Sequence, residues 1–518
     1  MVPFLKARYE MKIERTKNAQ RNVFFGVILK VYQILIPFIM RTIMIYQMGI
    51  EYAGLNNLFV SIFQVLNLAE LGVGAALTCS MYRPIAQDNT GEICALLKLY
   101  RKCFGCIGAV VLALGLVCMP FLPYLVSGQI PKNLNLYVLY GLYLGNTVLS
   151  YWLFSYKKSL IYAHQRNDVN SKIMILTQTV QYILQIAALI VLHNYYLYLV
   201  AAILSQIMNN LISARTVNKM FPKYRPEGSL SKDVIHEVVK KVQGLVTNKI
   251  GGVILRSADS IVISSFLGLT VLAVYQNYYF ILTAVIGILA IVYEACVAGI
   301  GNSLVTENEE KNYGDFKTLT FISCWVTSIC CSCFLVLYQP FITAWVGKQY
   351  LMEFPLVICM VIYFFIYEID SLISTFKDAA GIWYTDRYRP LITALVNLGL
   401  NIIMVRFCGL YGVLLSTVIS MLLVGIPWLL HNVFSSLFPE ESIWKYILYI
   451  FKFTILCALS SGISAFLTNL ISKTTFISFL IKGFVAVIIP NIVLVPFFMN
   501  SSEFKRAIGL VKHYFCKR

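Results

Sequence analysis

The 518 residues include 42 Lys and Arg against 24 Asp and Glu, a formal net charge of +18, yet 59% of them are hydrophobic and only 13% are charged. This composition excludes a soluble globular protein and predicts a polytopic membrane protein. The basic residues concentrate in alternate loops, with Lys132, Lys348 and Lys473 on the other side. The positive-inside rule therefore places both termini in the cytoplasm, and the charge calls for no nucleic-acid partner.

The apolar stretches are long enough to be transmembrane helices, because about 20 residues at 1.5 Å each cross the hydrocarbon layer. Strands of a barrel would need only about 10 residues each. We predict an all-α integral membrane protein with about fourteen transmembrane helices, at residues 22–48, 54–82, 103–125, 135–156, 172–192, 195–214, 243–267, 271–299, 318–338, 355–376, 390–407, 411–430, 446–468 and 476–499.

The spans group into two halves separated by one linker rich in Pro and basic residues. Ser231 in this linker is suited to N-cap a following helix. The predicted organisation is a cytoplasmic N-terminal segment (1–21), a six-helix bundle (22–214), a cytoplasmic linker (215–242), a second six-helix bundle (243–430), two extra transmembrane helices (446–499) and a basic cytoplasmic tail (500–518) that is amphipathic and suited to the inner leaflet.

The first span contains two cations, Lys30 and Arg41. They are eleven residues apart, about 20° around a helix, so they share one face. A cation at the centre of a membrane costs roughly 2.5–3.5 kcal/mol. One interpretation is that Arg41 reaches the outer interface while Lys30 is paired within the protein. The other is that both face a water-filled cavity that holds an anion.

The second span contains Glu70 near its middle, followed by Gly72 and Gly74. Glycines allow close approach of backbones or a bend in the helix. A carboxylate in mid-span is either a counter-ion for a cation or a site that couples transport to protons or Na⁺.

The second half repeats features of the first at a shift of 219 residues. Gly49 falls on Gly268 and Lys30 falls on Lys249, while Arg256 follows Lys249 by seven residues and so shares its face. Two halves that each open with a cationic helix indicate an internally duplicated transporter with its site between the halves.

Carboxylates also occur in the spans of the second half. Asp259 follows Arg256 by three residues, so an ion pair within one helix is available to neutralise both. Glu294 in the eighth span occupies a place that resembles that of Glu70, with the same two interpretations. Glu368 and Asp370 are expected near the cytoplasmic end of the tenth span, where partial hydration lowers their cost.

Motifs for catalysis are missing from the sequence. The five histidines have no metal-ligand spacing, and there is no phosphate-binding glycine loop or nucleophile elbow. We therefore predict that the protein is not an enzyme and has no cofactor. Energy would come from a H⁺ or Na⁺ gradient, from the membrane potential, or from consumption of the product.

Four stretches resemble the bacterial polysaccharide repeat-unit flippases, the Wzx type within the multidrug/oligosaccharidyl-lipid/polysaccharide exporter superfamily. They fall in both halves and share a pattern of spaced Gly, Asn, Glu and Asp in membrane helices. The stretches are MGIEYAGLNNLFVSIFQVLNLAELGVGAALTCSMYRPIAQDN, KIGGVILRSADSIVISSFLGLTVLAVYQNYYFI, VAGIGNSLVTENEEKNYGDF and DAAGIWYTDRYRPLITALVNLGLNIIMVRFCGLYGVLLSTVIS.

The resemblance implies two pseudo-symmetric six-helix bundles around a central cavity that opens alternately to the two sides, with a groove for a lipid tail at two further helices. The substrate would be an oligosaccharide linked through pyrophosphate to a polyprenol, moved outward across the bacterial cytoplasmic membrane. A polysaccharide polymerase or glycosyltransferases are possible partners.

Together, the residues and the resemblance define a candidate site. Pyrophosphate suits a fork of Arg donors and Lys charges. We expect substrate binding by Lys30, Arg41, Lys249 and Arg256, counter-ion or coupling roles for Glu70, Asp259 and Glu294, and an outer gate at Asn56, Asn57 and Asn277.

Three alternatives stay open at this point. A drug or metabolite exporter of the same superfamily would share the fold, although a site for organic cations should be rich in acids. A peptidoglycan-precursor flippase would differ mainly in its substrate. A membrane glycan polymerase should have a large external loop, whereas the longest outer loop expected here, residues 339–354, has only sixteen residues.

Overall fold

The computed structural model describes the backbone of most of the chain. The described ranges are 15–70, 72–127, 130–131, 134–471 and 475–516. Within these ranges the side chains of residues 15–20, 23, 240–241, 243–249, 256 and 510–516 are not described.

The first part of the described chain consists of helices joined by short turns. Their bounds are α1 (Arg15–Met48), α2 (Ile50–Leu66), α3 (Val73–Ala86), α4 (Thr90–Cys118), α5 (Leu122–Leu125), α6 (Leu136–Trp152), α7 (Lys158–Ala163), α8 (Asn167–Ile190) and α9 (Tyr195–Met220). Short 3₁₀ turns occupy Asn67–Glu70, Met119–Phe121 and Ser155–Lys157.

The second part is built in the same way, with longer helices. Their bounds are α10 (Lys232–Leu267), α11 (Leu269–Thr306), α12 (Glu309–Trp345), α13 (Phe354–Ala379), α14 (Arg389–Ser420), α15 (Ile426–Leu437), α16 (Ile443–Asn469), α17 (Phe476–Phe498) and α18 (Ser502–Cys516). A 3₁₀ turn covers Lys348–Tyr350, and a π-helical turn at Met421–Gly425 joins α14 to α15.

Eleven helices in the described ranges are long and apolar enough to cross a membrane, and a bent pair, Ile50–Glu70 with Val73–Ala86, adds a twelfth span. Helix α6 has 17 residues, one fewer than the 18 residues required of a candidate span. Helix α14 is kinked at Gly409, whose backbone angles are non-helical (φ 54°, ψ −132°), so it consists of two helical segments. The described ranges thus contain eleven or twelve candidate spans by length and hydropathy, and the predicted number of about fourteen stays a prediction. The prediction of an all-α membrane protein is confirmed.

Side-chain caps begin several of these helices. Asn89, Asn135, Asn194 and Asn308 each accept a hydrogen bond from a backbone N–H in the first turn. Thr475 and Ser478 form a reciprocal capping box at α17. Such caps satisfy donors that a helix end leaves unpaired, so they set where the spans start.

The predicted linker, residues 215–242, is helical at both ends. Helix α9 extends to Met220 and α10 begins at Lys232, which leaves residues 221–231 between them. The Ser231 hydroxyl accepts a hydrogen bond from the Val234 N–H at 3.5 Å, as expected of an N-cap. The helical pattern simply continues through both flanks of the basic stretch.

The chain divides into two compact units. Unit 1 is Met1–Val253 with Gly268–Thr270, and unit 2 is Ile254–Leu267 with Val271–Arg518. In unit 1, α1 packs on α8, α8 on α9, and α6 on both α4 and α9. In unit 2, α12 is central and packs on α13, α16, α17 and α18. The division falls within α10, and the predicted domain ranges stay predictions.

The C-terminal helix α18 is held against α12. Phe504 packs against Phe321 and Trp325, and Glu503 lies 3.8 Å from the Lys317 ammonium. Phe321 belongs to an apolar core that α12 shares with α16 and α17. The start of the tail is therefore packed on unit 2, while its predicted place on the inner leaflet stays a prediction.

Candidate functional site

The predicted cationic stripe lies on α1. Lys30 is exposed and makes no hydrogen bond or ion pair with any side chain that the structure describes. Pro37 lies between Lys30 and Arg41 and removes one backbone hydrogen bond, a common cause of a bend in a helix. Lys30 is thus a cation inside a candidate span whose charge is not neutralised by a described neighbour.

Arg41 contacts one of the predicted gate residues. Its Nη1 donates to Asn57 Oδ1 on α2 at 3.4 Å, and the Arg41 side chain is half-buried. The Asn57 amide nitrogen is buried and has no hydrogen-bond partner among the described atoms. The structure therefore brings a predicted substrate cation and a predicted gate residue into one contact.

The other two gate candidates are in different settings. Asn56 accepts a hydrogen bond of 2.5 Å from the Tyr143 hydroxyl, which also lies 3.1 Å from the hydroxyl of Tyr195. Asn56 thus ties α2 to α6 and α9 inside unit 1. Asn277 on α11 is fully buried. A gating role for these residues stays a prediction.

The internal repeat is visible in the geometry of both units. Gly49 and Gly268 have φ angles of 111° and 93°, and each directly precedes a helix, α2 or α11. At the same shift of 219 residues, Arg41 and Asn57 correspond to Ser260 and Gln276, which also form a hydrogen bond, of 2.9 Å. The equivalent pair in unit 2 is neutral.

The two cations predicted in the second half cannot be placed in the same detail. Lys249 and Arg256 lie on the backbone of α10, but their side chains lie outside the described residues. Their roles in substrate binding stay predictions, and so does the ion pair between Arg256 and Asp259.

Glu70 lies at the break of the second span. It ends the 3₁₀ turn after α2, Gly72 adopts the left-handed conformation (φ 80°), and α3 starts at Val73 at an angle of 41°. Glu70 Oε1 accepts from the Gly74 N–H at 3.1 Å. A carboxylate at a helix N-terminus is stabilised by the helix dipole. This contact at the start of α3 gives Glu70 a structural role that does not depend on a paired cation.

Asp259 is buried in a polar cluster of unit 2. Its Oδ1 accepts from the Asn401 amide at 2.7 Å, and its Oδ2 accepts from the Thr417 hydroxyl at 3.3 Å. The Asn397 amide donates to Thr417 at 2.9 Å, and the Ser416 hydroxyl donates to Asn401. The described donors are all neutral, so they do not compensate the carboxylate charge.

The partners of Asp259 were not predicted from the sequence. Asn397 and Asn401 are four residues apart in an otherwise apolar span and therefore share one face of α14. That spacing is the signal that could have identified them. Across the described residues no group of three or more His, Cys, Asp or Glu side chains could hold a metal ion. Any cation at Asp259 would depend on amide and hydroxyl oxygens.

Glu294 and Glu70 occupy unlike places. Glu294 is exposed within the continuous helix α11, whereas Glu70 lies at a helix break. At the shift of 219 residues Glu70 corresponds to Leu289. The expected similarity of the two carboxylates is therefore not seen.

A buried charged cluster at the α13–α14 turn was also missed by the sequence analysis. Asp386 is fully buried, accepts from Arg389 Nε at 2.7 Å and from the Asn432 amide at 3.0 Å, and lies 3.4 Å from the Lys377 ammonium. Arg389 also reaches Asp370 at 3.2 Å. The alternation of acids and bases around residue 386 was the available signal. The cluster joins α13, α14 and α15.

Glu368 differs from the expectation of partial hydration. It is only 1% exposed, and its Oε1 atom is buried without a hydrogen-bond partner among the described atoms. Its Oε2 accepts from the Tyr293 hydroxyl at 3.0 Å. Packing of α13 against α12 and the contact of Glu368 with Tyr293 of α11 exclude water here, which the hydropathy of one helix could not reveal.

Solved structures with the same fold are transporters. The chain is similar to a lipid II flippase, MurJ, in an inward closed conformation (TM-score 0.65, 18% identity, 92% of this chain and 99% of that one). It is also similar to a multidrug resistance transporter of the MATE family, of the MOP superfamily, in an inward-facing conformation (TM-score 0.61, 14% identity, 80% of this chain and 99% of that one). An outward-facing MATE structure has a TM-score of 0.54 at 14% identity, and the match covers 82% of this chain and 97% of that one. At these identities the similarity shows the fold.

A match to a family model covers more than half of the chain. The model is described as "Polysaccharide biosynthesis protein" and matches residues 19–297, which include most of α1, the broken second span and most of α11. No curated protein matches the chain. This chain is a member of the polysaccharide biosynthesis protein family and has the fold of transporters and flippases of the MOP superfamily.

Proposed function

We propose that the protein is a flippase, not an enzyme, that moves polyprenyl-pyrophosphate-linked oligosaccharide repeat units from the inner to the outer leaflet of the bacterial cytoplasmic membrane. The family match gives the connection to polysaccharide synthesis, and the shared fold gives the connection to transport. The lipid tail would stay in the bilayer while the glycan crosses through the protein. A polymerase or glycosyltransferases would consume or supply the substrate.

The observation that carries this proposal is the exposed Lys30 within α1. A charge facing hydrocarbon in mid-span costs roughly 2.5–3.5 kcal/mol, so an exposed Lys here is better explained by a water-accessible path. An ammonium on such a path attracts an anion, and pyrophosphate is the anion that connects sugar to lipid in this substrate class. Arg41, on the same face of α1 in an ideal helix, offers a fork of donors.

A second substrate is favoured by one comparison. The solved structure with a TM-score of 0.65 is named a lipid II flippase, so the substrate of that protein is lipid II. A peptidoglycan precursor would present the same anion to Lys30. The alternative of a drug exporter is favoured less, because α1 carries cations and no acid among its described side chains.

The test is complementation of a strain that lacks its repeat-unit flippase, scored by surface polysaccharide. We expect Lys30→Ala and Arg41→Ala to lower the flipping rate about tenfold or more, since a charge-assisted hydrogen bond contributes roughly 1.5–3 kcal/mol. Lys249→Ala and Arg256→Ala test the predicted partners, Lys30→Arg should keep activity, and Lys348→Ala is a control outside the spans. Membrane expression is measured for each variant.

The outcomes separate the alternatives. If the wild-type protein rescues a lipid II flippase deletion but not the repeat-unit flippase deletion, its substrate is a peptidoglycan precursor. Rescue by wild type and by all four alanine variants would leave a flippase whose site lies elsewhere. Reduced drug accumulation without rescue of either strain would support the exporter.

We also propose that Asp259 is the coupling site for H⁺ or Na⁺. Its oxygens accept only from neutral donors among the described residues, and the surrounding amides and hydroxyls suit a proton or a monovalent cation. Asp259→Asn should uncouple flipping from the ion gradient in proteoliposomes. If the variant responds to an imposed gradient as wild type does, Asp259 is a structural residue only.

A further inference from the structure

Glu368 in unit 2 is a buried acid that the proposed transport site does not use. It lies on α13, and its side chain meets Tyr293 of α11, whose hydroxyl is 3.0 Å from Glu368 Oε2. The Tyr293 hydroxyl lies 2.7 Å from Ser323 Oγ of α12. If Tyr293 gives its hydrogen to Glu368, Ser323 must donate to Tyr293. Three helices thus meet at one carboxyl group.

The environment of Glu368 offers little compensation for a negative charge. No cationic side chain among the described residues lies within ion-pair distance of it. The titratable groups that face it are Tyr293 of α11 and Cys330 and Cys331 of α12. On α13 itself, Asp370 and Lys377 are engaged with Arg389 and Asp386 of the charged cluster.

Hydrogen bonding gives the ionised form only one described donor. Tyr293 supplies one donor to Oε2, and Oε1 has none among the described atoms. The Thr327 hydroxyl, one turn from Ser323 on α12, is also buried without a described partner, so it does not donate to Glu368. A buried charge costs several kcal/mol and in practice neutralises, whereas an unpaired neutral hydroxyl costs about 1–3 kcal/mol.

We propose that Glu368 is a proton-binding site of unit 2 and is an un-ionised carboxylic acid in the conformation described here. Its 1% exposure leaves no route for the proton to water while α11, α12 and α13 are packed together. Release breaks the carboxyl O–H bond, leaves both electrons on oxygen and passes H⁺ to water, so it requires these helices to separate. Proton binding and helix packing are therefore linked. The free energy by which packing favours the bound proton equals the free energy by which the bound proton favours packing.

This inference does not depend on the substrate or on Asp259. It is tested on the purified full-length protein by infrared spectroscopy, which detects the carbonyl stretch of an un-ionised carboxylic acid. We expect the wild-type spectrum at neutral pH to contain such a band that Glu368→Gln lacks. Glu294→Gln, an exposed acid next to Tyr293, should keep the band.

Two further measurements make the result specific. Tyr293→Phe removes the hydrogen bond to Oε2 and should move the band to higher frequency without abolishing it. In D₂O, the band should exchange slowly in wild type because the site is closed to water. Should Glu368→Gln fail to fold, the Tyr293→Phe shift alone decides the assignment.

A stability measurement gives the sign of the linkage. The unfolded chain releases the Glu368 proton above about pH 4.3, whereas the packed protein keeps it, so the thermal midpoint of wild type should fall relative to Glu368→Gln as the pH rises from about 4 to neutral. Identical infrared spectra of wild type and Glu368→Gln at neutral pH would overturn the proposal. So would a thermal midpoint difference that does not vary with pH.

Discussion

Single residues at the ends of the spans carry charges whose cost depends on burial. Lys158, at the start of α7 outside the membrane-spanning helices, donates to Asn209 Oδ1 at 2.5 Å, and no carboxylate among the described residues pairs with it. Desolvation by burial lowers the pKa of Lys158 from 10.5 to about 8. The residue is therefore close to neutral in mildly alkaline solution.

This shift predicts a pH dependence of stability. Between about pH 8 and 10.5 the unfolded chain keeps the Lys158 proton that the folded chain has lost, so the free energy of unfolding should rise with pH through this window. The expected contribution is on the order of 2–3 kcal/mol. The measurement is the difference in unfolding free energy between wild type and Lys158→Met from pH 7 to 10.5.

The exposed Lys102 on α4 provides the control, since Lys102→Met also removes one charge. Its difference from wild type should stay flat across the window. A flat difference for Lys158→Met as well would mean that the ammonium is as well solvated in the folded protein as in the unfolded chain.

At the scale of the element, glycines set where helices stop and restart. Gly49 has φ 111° and ψ 162°, a region that only glycine occupies readily, and it separates α1 from α2. Gly49→Ala should therefore lower the unfolding free energy by about 1–3 kcal/mol. The matched control is Gly26→Ala in α1, where an added Cβ meets no atom within 4 Å and should cost nothing. Equal effects of the two variants in a detergent-unfolding titration would contradict this account.

The charged cluster at the α13–α14 turn predicts a larger loss. Asp386→Asn would leave Lys377 and Arg389 with one fewer buried acid, and breaking a buried ion pair costs about 3–5 kcal/mol. Asp378→Asn removes an acid that contacts Lys377 at 3.0 Å but is 45% exposed, so it should cost less than about 1 kcal/mol. Unfolding titrations that give the same loss for both variants would show that burial does not control the energy of this cluster.

At the scale of the whole molecule, the distribution of basic residues predicts the topology. Tyr384, 78% exposed in the α13–α14 turn, should face the cytoplasm, and Gln349 in the 3₁₀ turn after α12 should face outward. In intact cells a membrane-impermeant maleimide should label Gln349→Cys above the background of the parent protein. It should label Tyr384→Cys only after the cells are opened. The reverse pattern would invert the orientation.

The candidate site was only partly predictable from the sequence. The cost of a charge in hydrocarbon singled out Lys30, Arg41, Glu70 and Asp259 without any structure. The function of Glu70 as a cap of α3 could not be read, because it depends on a break of the second span that brings the Glu70 carboxylate to the Gly74 N–H. Contacts between helices, such as that of Arg41 with Asn57, were equally out of reach.

The sequence by itself determined the all-helical membrane architecture, the positions of the spans and the internal repeat. These features follow from hydropathy and residue spacing, which are local properties of the chain. Only the tertiary structure decided which polar residues meet: Asp259 with Asn401 and Thr417, Asp386 with Arg389, and Glu368 with Tyr293. Residues far apart in sequence come together through helix packing, and burial then determines whether a charged group is paired or carries a proton.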